Sequence, residues 1–203
     1  MKKIAIIAFL LAVCVAAGRA QESRQDVSLS GTGLIEPFIG SSTDVYVHST
    51  PAYGALLSYR FMLTPSSAIE ANYGITYQNS ITYQHSPNVT SILTRNEEIS
   101  AAYVRTFTYR KFNPFLEAGP GAMIFLPIQN GHTTTHDAKQ QTGIGGLYGA
   151  GIAYEISPSF DIRAEYRGFF TKVPTFGDPG GYKLDTNKWY NIYMPTIGVA
   201  YHF

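Results

Sequence analysis

The stretch Ala68-Ile69-Glu70-Ala71-Asn72-Tyr73-Gly74-Ile75-Thr76-Tyr77-Gln78 decides how the chain is read. Ile69, Ala71, Tyr73, Ile75 and Tyr77 occupy alternate positions. Ala68, Glu70, Asn72, Gly74, Thr76 and Gln78 occupy the others. Side chains of a strand point alternately to opposite faces, so this is a strand with one apolar and one polar face. The same alternation runs through Ala52 to Met62, where Tyr53, Ala55, Leu57, Tyr59 and Phe61 oppose Gly54, Ser58 and Arg60. It recurs at Leu147 to Ile156, with Tyr148, Ala150, Ile152, Tyr154 and Ile156 against Gly149, Gly151, Ala153 and Glu155. From Phe160 to Phe170 it sets Phe160, Ile162, Ala164, Tyr166 and Phe170 against Asp161, Arg163, Glu165 and Arg167.

Weaker alternation fills the gaps. Asp26 to Phe38 reads as a first strand blurred by Gly31 and Gly33. Glu97 to Thr108 is a fourth, with ambiguous facing around Arg105. Pro114 to Leu126 is a fifth, with Glu117, Gly119 and Gly121 on one face, and Tyr190 to Phe203 is the last. Together these predict eight strands. Short connectors at 63–67, 109–113 and 157–159 carry turn residues. Long polar connectors span 39–50, 79–96, 127–145 and 171–188. Three short and four long links joining eight antiparallel strands give a layout with turns at one end and long loops at the other.

Composition agrees. Of 203 residues, 14% are aromatic and 14% charged, against roughly 25% charged in ordinary soluble domains. Hydrophobic residues make up 45%, yet mean hydropathy is −0.04. A bundle of membrane helices would be far more hydrophobic, and a disordered chain would carry fewer aromatics and more net charge. No stretch after Ala20 has the length of a transmembrane helix. In lipid, unpaired backbone groups are too costly, so strands that cross must close into a barrel.

The N-terminus reads as a secretory signal peptide over residues 1–20. Lys2 and Lys3 precede an apolar run from Ile4 to Ala17, and small residues lead to a cleavage site after Ala20. Cys14, the sole cysteine, follows Val13, which is not the small residue a lipoprotein signal requires. The remaining segment, 21–203, is then free of cysteine. It loses three of the chain's 15 basic residues and keeps all 14 acidic ones, so it offers no basic field for nucleic acid.

At the other end stands Thr196-Ile197-Gly198-Val199-Ala200-Tyr201-His202-Phe203. Thr196, Gly198, Tyr201 and the terminal Phe203 resemble the β-signal read by the outer-membrane assembly machinery. Along its length the mature chain resembles the small eight-stranded outer-membrane barrels of the OmpA-like and OmpX-like group. It looks most like the outer membrane protein beta-barrel domain, or porin-like, family. Pro114-Phe115 followed by Gly119 and Gly121 adds to the likeness. The resemblance implies an all-β, eight-stranded antiparallel up-and-down transmembrane barrel. It implies an outer-membrane location, outer-membrane lipids and lipopolysaccharide as surroundings, a monomeric state and no cofactor. With no residue after Phe203, the peptidoglycan-binding domain that some relatives append is not expected.

Arg60, Glu70, Glu117, Glu155, Asp161, Arg163, Glu165 and Arg167 fall on predicted lumen faces. Arg60 and Glu70 lie symmetrically about Pro65 and should be cross-strand neighbours. An eight-stranded barrel is just wide enough to be filled by its own side chains, and buried charges must be paired. The expectation is therefore a salt-bridge network that holds and plugs the barrel, the alternative being a narrow porin-like pore. The His132/His136 pair beside Asp137 has ligand spacing only on a helix, and its threonines argue for a loop. Barrels that deacylate lipid A carry adjacent His and Ser on the outer wall. His48-Ser49 and His85-Ser86 instead lie in predicted loops, so an enzyme is the least favoured reading. The expected role is structural or surface-interacting, through the loops at 79–96, 127–145 and 171–188.

Overall fold

The computed structural model describes residues 24–40, 45–85, 87–129, 133–134, 137–181 and 184–203. Ten strands run through them: β1 (Gln25–Leu34), β2 (Ile39–Gly40), β3 (Val45–Ser49), β4 (Ala52–Thr64), β5 (Ser67–His85), β6 (Asn88–Thr106), β7 (Phe112–Pro127), β8 (Gln141–Ser157), β9 (Phe160–Lys172) and β10 (Trp189–His202). Eight of them, all but β2 and β3, pair antiparallel in sequence order, and β1 closes on β10. No helix among the described residues is long and apolar enough to cross a membrane. The crossing is made by strands. The residues 1–20 read as a signal peptide lie outside the described residues.

The wall obeys the alternation. Leu29, Tyr53, Leu57, Ile69, Tyr73, Ile99, Leu116, Ile152, Tyr166 and Ile197 are exposed on the outer face. Aromatic pairs cluster toward its two ends. Phe112–Tyr154 (5.0 Å between ring centroids), Phe160–Tyr201 (5.1 Å) and Tyr201–Phe203 (6.0 Å) lie toward the short turns. Phe170 stacks on Trp189 at 5.2 Å toward the long loops. Amphipathic rings collect at membrane–water boundaries, so these belts bracket the apolar band. The facing left ambiguous in the sequence is resolved: Ala102 and Val104 point inward and Arg105 outward. Arg105 donates to Ser67 Oγ at 2.8 Å, beside the first short turn, where an outward charge costs least.

Strand ends differ from the sequence reading. Residues 79–96 are not a loop: β5 and β6 stay paired up to His85↔Asn88, across a register shift at Thr76/Asn79. Gln78 takes a positive φ of 65° there, which swaps the facing of all later β5 residues. The polar composition of 79–96 reflects a wall that has left the lipid, not one that has lost its pairing. The 39–50 segment likewise supplies β2 and β3, and β3 takes over from β4 as partner of β5. His48 and Ser49 are thus strand residues, as is His85; Ser86, His132 and His136 lie outside the described residues.

Candidate functional site

The interior of the barrel falls into two compartments. Toward the short turns it is ionic. Arg60 and Glu70, cross-strand neighbours on β4 and β5, meet with Nε donating to Oε2 at 2.6 Å. The Arg60 guanidinium lies 4.8 Å from the centre of the Phe115 ring. Arg163 of β9 grips Asp26 of β1 with two bonds, of 2.9 and 2.7 Å. Arg167, one outward–inward repeat further along β9 than Glu165, reaches across the lumen. It donates twice to Glu98 of β6, at 3.1 and 2.8 Å, and through Nε to Glu117 of β7 at 3.2 Å. Paired bonds of this kind are the strongest and most directional that charged side chains make. Asp161 takes a contact from His202 Nε2 at 2.9 Å. Gly149 makes room for the network, since a Cβ there would stand 2.5 Å from Glu117 Oε1.

Six of the eight residues assigned to the lumen are buried: Arg60, Glu70, Glu117, Asp161, Arg163 and Arg167. Glu155 and Glu165 are half-buried. Glu155 lines a vestibule of about 400 Å³ at the short-turn end, with Arg60, Asp161, Arg163 and His202. Sequence reasoning missed three members, Asp26, Glu98 and His202. The signal for Asp26 was present, because Val27 and Leu29 face out and Ser28, Ser30 and Thr32 face in. Glu98 was hidden by its neighbour. Glu97 turns outward to meet Arg95 at 2.9 Å, and only the phase set by Ile99 and Tyr103 tells the two apart.

Toward the long loops the interior is apolar. Leu34, Ile81, Tyr83, Ile92, Met123, Phe125, Leu147, Phe169, Ile192 and Met194 form one buried cluster. Val173, Phe176 and Leu184 join it from the 171–188 segment, so that segment is not a freely exposed loop. It folds into the barrel mouth as a lid. Tyr190 also faces inward, rather than standing in the outer aromatic belt as its neighbour Trp189 does. Backbone bonds tie the lid down: Gln141 Oε1 accepts from Thr175 N at 2.6 Å and Phe176 N at 2.9 Å, and Lys139 N donates to Phe176 O at 2.9 Å.

At the closing seam, Pro195 of β10 faces Gly33 of β1 and offers no N–H, which leaves the Gly33 carbonyl without that ladder bond. The Thr32 hydroxyl donates to that carbonyl at 3.1 Å and meets the Thr196 hydroxyl at 3.0 Å. Of the residues resembling an assembly signal, Thr196 points inward, Tyr201 outward, and Phe203 N donates to Gln25 O at 3.0 Å. Gly198 is sterically required, since a Cβ there would sit 2.1 Å from Ser30 Oγ. No group of three or more His, Cys, Asp or Glu with metal-holding geometry exists among the described residues.

Solved structures share this architecture. Neisserial surface protein A superposes with a TM-score of 0.60 at 16% identity, over 89% of this chain and 98% of that one. The outer membrane protein OprG from Pseudomonas aeruginosa gives 0.63 at 10% identity, over 88% and 95%. Ail, the attachment invasion locus protein of Yersinia pestis, solved with the heparin analogue sucrose octasulfate, gives 0.50 at 14% identity, over 88% and 96%. These likenesses are of fold. No curated protein matches the chain. The family model for the outer membrane protein beta-barrel domain matches residues 5–203, and the chain belongs to that family of bacterial outer-membrane barrels.

Proposed function

We propose that the protein is a closed, non-enzymatic barrel of the outer membrane, with a structural or surface-interaction role carried by its outer end. The carrying observation is that both halves of the lumen are occupied, one by ion pairs and the other by apolar side chains under a lid. Export through a signal peptide and recognition of Thr196, Gly198, Tyr201 and Phe203 by the assembly machinery belong to the same reading. So does a monomer surrounded by outer-membrane lipids and lipopolysaccharide. The extension of the β3–β5–β6 wall beyond the outer aromatic belt supports a surface role. Its outward face presents Tyr46, His48, Thr82, Gln84 and Ser91, continuous with the lipid-facing wall below. This face suits a partner recognised by hydrogen bonds and ring stacking.

Planar-bilayer recording tests the closed lumen. The purified barrel should give no steady conductance in symmetrical salt at neutral pH. Steady single-channel steps would overturn this reading in favour of a narrow pore.

A further inference from the structure

The vestibule at the short-turn end is lined by groups that the ionic network does not use up. It holds about 400 Å³, within the range of small-molecule pockets, and opens on the side that faces the periplasm in barrels of this kind. Its deep end is formed by Arg60 and Arg163, only 2% and 4% exposed. Each keeps a donor to spare. Arg60 gives Nε to Glu70, and its Nη2 is buried with no hydrogen-bond partner. Arg163 gives both Nη atoms to Asp26, and its Nε is likewise unpartnered. Arg167 lies outside the vestibule and differs, using all three nitrogens on Glu98 and Glu117.

The opposite wall carries the complementary charge. Eight strands close the barrel, and β8 lies four strands from β4 in either direction, so Glu155 stands across the vestibule from Arg60. Its neighbour Asp161 is taken by His202 at 2.9 Å. Glu155 makes no ion pair among the described residues, even with Arg110 at the rim of the same space. The vestibule also has an apolar flank. Phe115 and Ala153 are buried together with Met62 packed against them, and the Phe115 ring holds the Arg60 guanidinium at 4.8 Å. Thr106, Thr108 and Asn113 complete the lining with hydroxyl and amide groups.

We propose that the vestibule is a binding site for a short zwitterionic peptide with small apolar side chains. The peptide carboxylate takes the Nη1–Nη2 edge of Arg60, the edge by which a guanidinium grips a carboxylate with two bonds. Arg163 Nε is the further donor at that end. The ammonium pairs with Glu155, the side chains rest on Met62, Phe115 and Ala153, and Thr106, Thr108 and Asn113 serve the peptide bond. A simple anion would face Glu155 unpaired, and a simple cation would leave the spare guanidinium donors unused. A free amino acid carries both charges on one carbon and cannot reach opposite walls. The lumen beyond Arg60 and Arg163 stays closed, so the peptide is held rather than conducted.

The test is methyl NMR of the full-length gene product, labelled at methionine and purified from membranes into lipid nanodiscs. Met62 lines the vestibule, whereas Met123 and Met194 lie in the apolar cluster toward the long loops and act as controls. Dialanine should shift the Met62 methyl saturably and leave Met123 and Met194 in place. N-acetyl-dialanine, dialanine amide and free alanine should each bind weaker by roughly tenfold or more, the worth of one charge-assisted pair. In Glu155→Gln, dialanine should weaken by a similar factor and N-acetyl-dialanine should bind as it does to the wild type. An unmoved Met62, a shift shared by the control methyls, or a blocked peptide that binds as tightly as dialanine overturns the proposal. So does a Glu155→Gln barrel that still prefers the free peptide. The series of blocked peptides needs no substitution, so it decides the matter even if Glu155→Gln does not assemble.

Discussion

The two halves of the lumen are enclosed by one wall and filled by opposite chemistries. The half near the short turns is held by Arg60, Arg163 and Arg167, each bonded to one or more buried carboxylates. The half near the long loops is held by packed aliphatic and aromatic side chains closed over by the lid. The ionic half depends on each partner separately, because removing one member strands a buried charge. The apolar half shares its stabilisation over many contacts, so a single truncation is costly in proportion to the volume it empties. The contrast also separates roles. Ion pairs of fixed geometry resist being opened one at a time, whereas a lid seated by packing can be lifted without undoing the wall.

The largest expected effect comes from Arg167→Ala. It leaves Glu98 and Glu117 buried without their cation, and should cost about 3–5 kcal/mol in urea unfolding from lipid vesicles. Restoring a large part of that loss by adding Glu98→Gln would show that stranded charge is the cause. A loss below about 1 kcal/mol would mean that water already reaches this half, and the contrast between the halves would fail.

Phe176→Ala should come next. Truncating a fully buried Phe costs about 3 kcal/mol or more, and the alanine keeps the Cβ that strains the positive φ at this position, so none of that cost is returned. The distinguishing readout is its location. Protease should cut the lid of the variant at neutral pH while the barrel remains resistant to unfolding in SDS without heat. A barrel that loses that resistance would show that the lid holds the wall together, rather than sitting in it.

Thr32→Val should give the smallest effect. It deletes the hydroxyl that serves the Gly33 carbonyl opposite Pro195, and should cost about 1 kcal/mol. The same unfolding assay measures it. A cost above about 3 kcal/mol would make the seam, and not the Arg167 cluster, the weak point of the barrel.

Much of this was readable from residues alone. The outer face of β4, β8 and β9 is where alternation put it, and the Arg60–Glu70 neighbours follow from their symmetry about Pro65. What escaped did so for identifiable reasons. A bulge at Gln78 inverts the facing of Ser80, Thr82 and Gln84, and a one-residue shift leaves no trace in hydropathy. The β5–β6 hairpin above the lipid looked like a loop because its outward side chains are polar, though its backbone pairing continues. Glu98 was masked by Glu97. Glu36 falls within the strand read from Asp26 to Phe38 and on the inward phase of Ser30, Thr32 and Leu34, a phase that Gly31 and Gly33 blurred.

Alternation along the chain is enough to set the wall. A period of two needs no knowledge of neighbours, and lipid outside leaves a closed barrel as the only way to pair every strand. The filling of the lumen emerges from contacts that exist once the sheet has closed. Which carboxylate meets Arg167 and that Phe176 caps the mouth depend on side chains far apart in the chain. Asp26 and Arg163 are 137 residues apart and meet through strand tilt and register. Those are set by closure of the whole sheet and are written in no single segment.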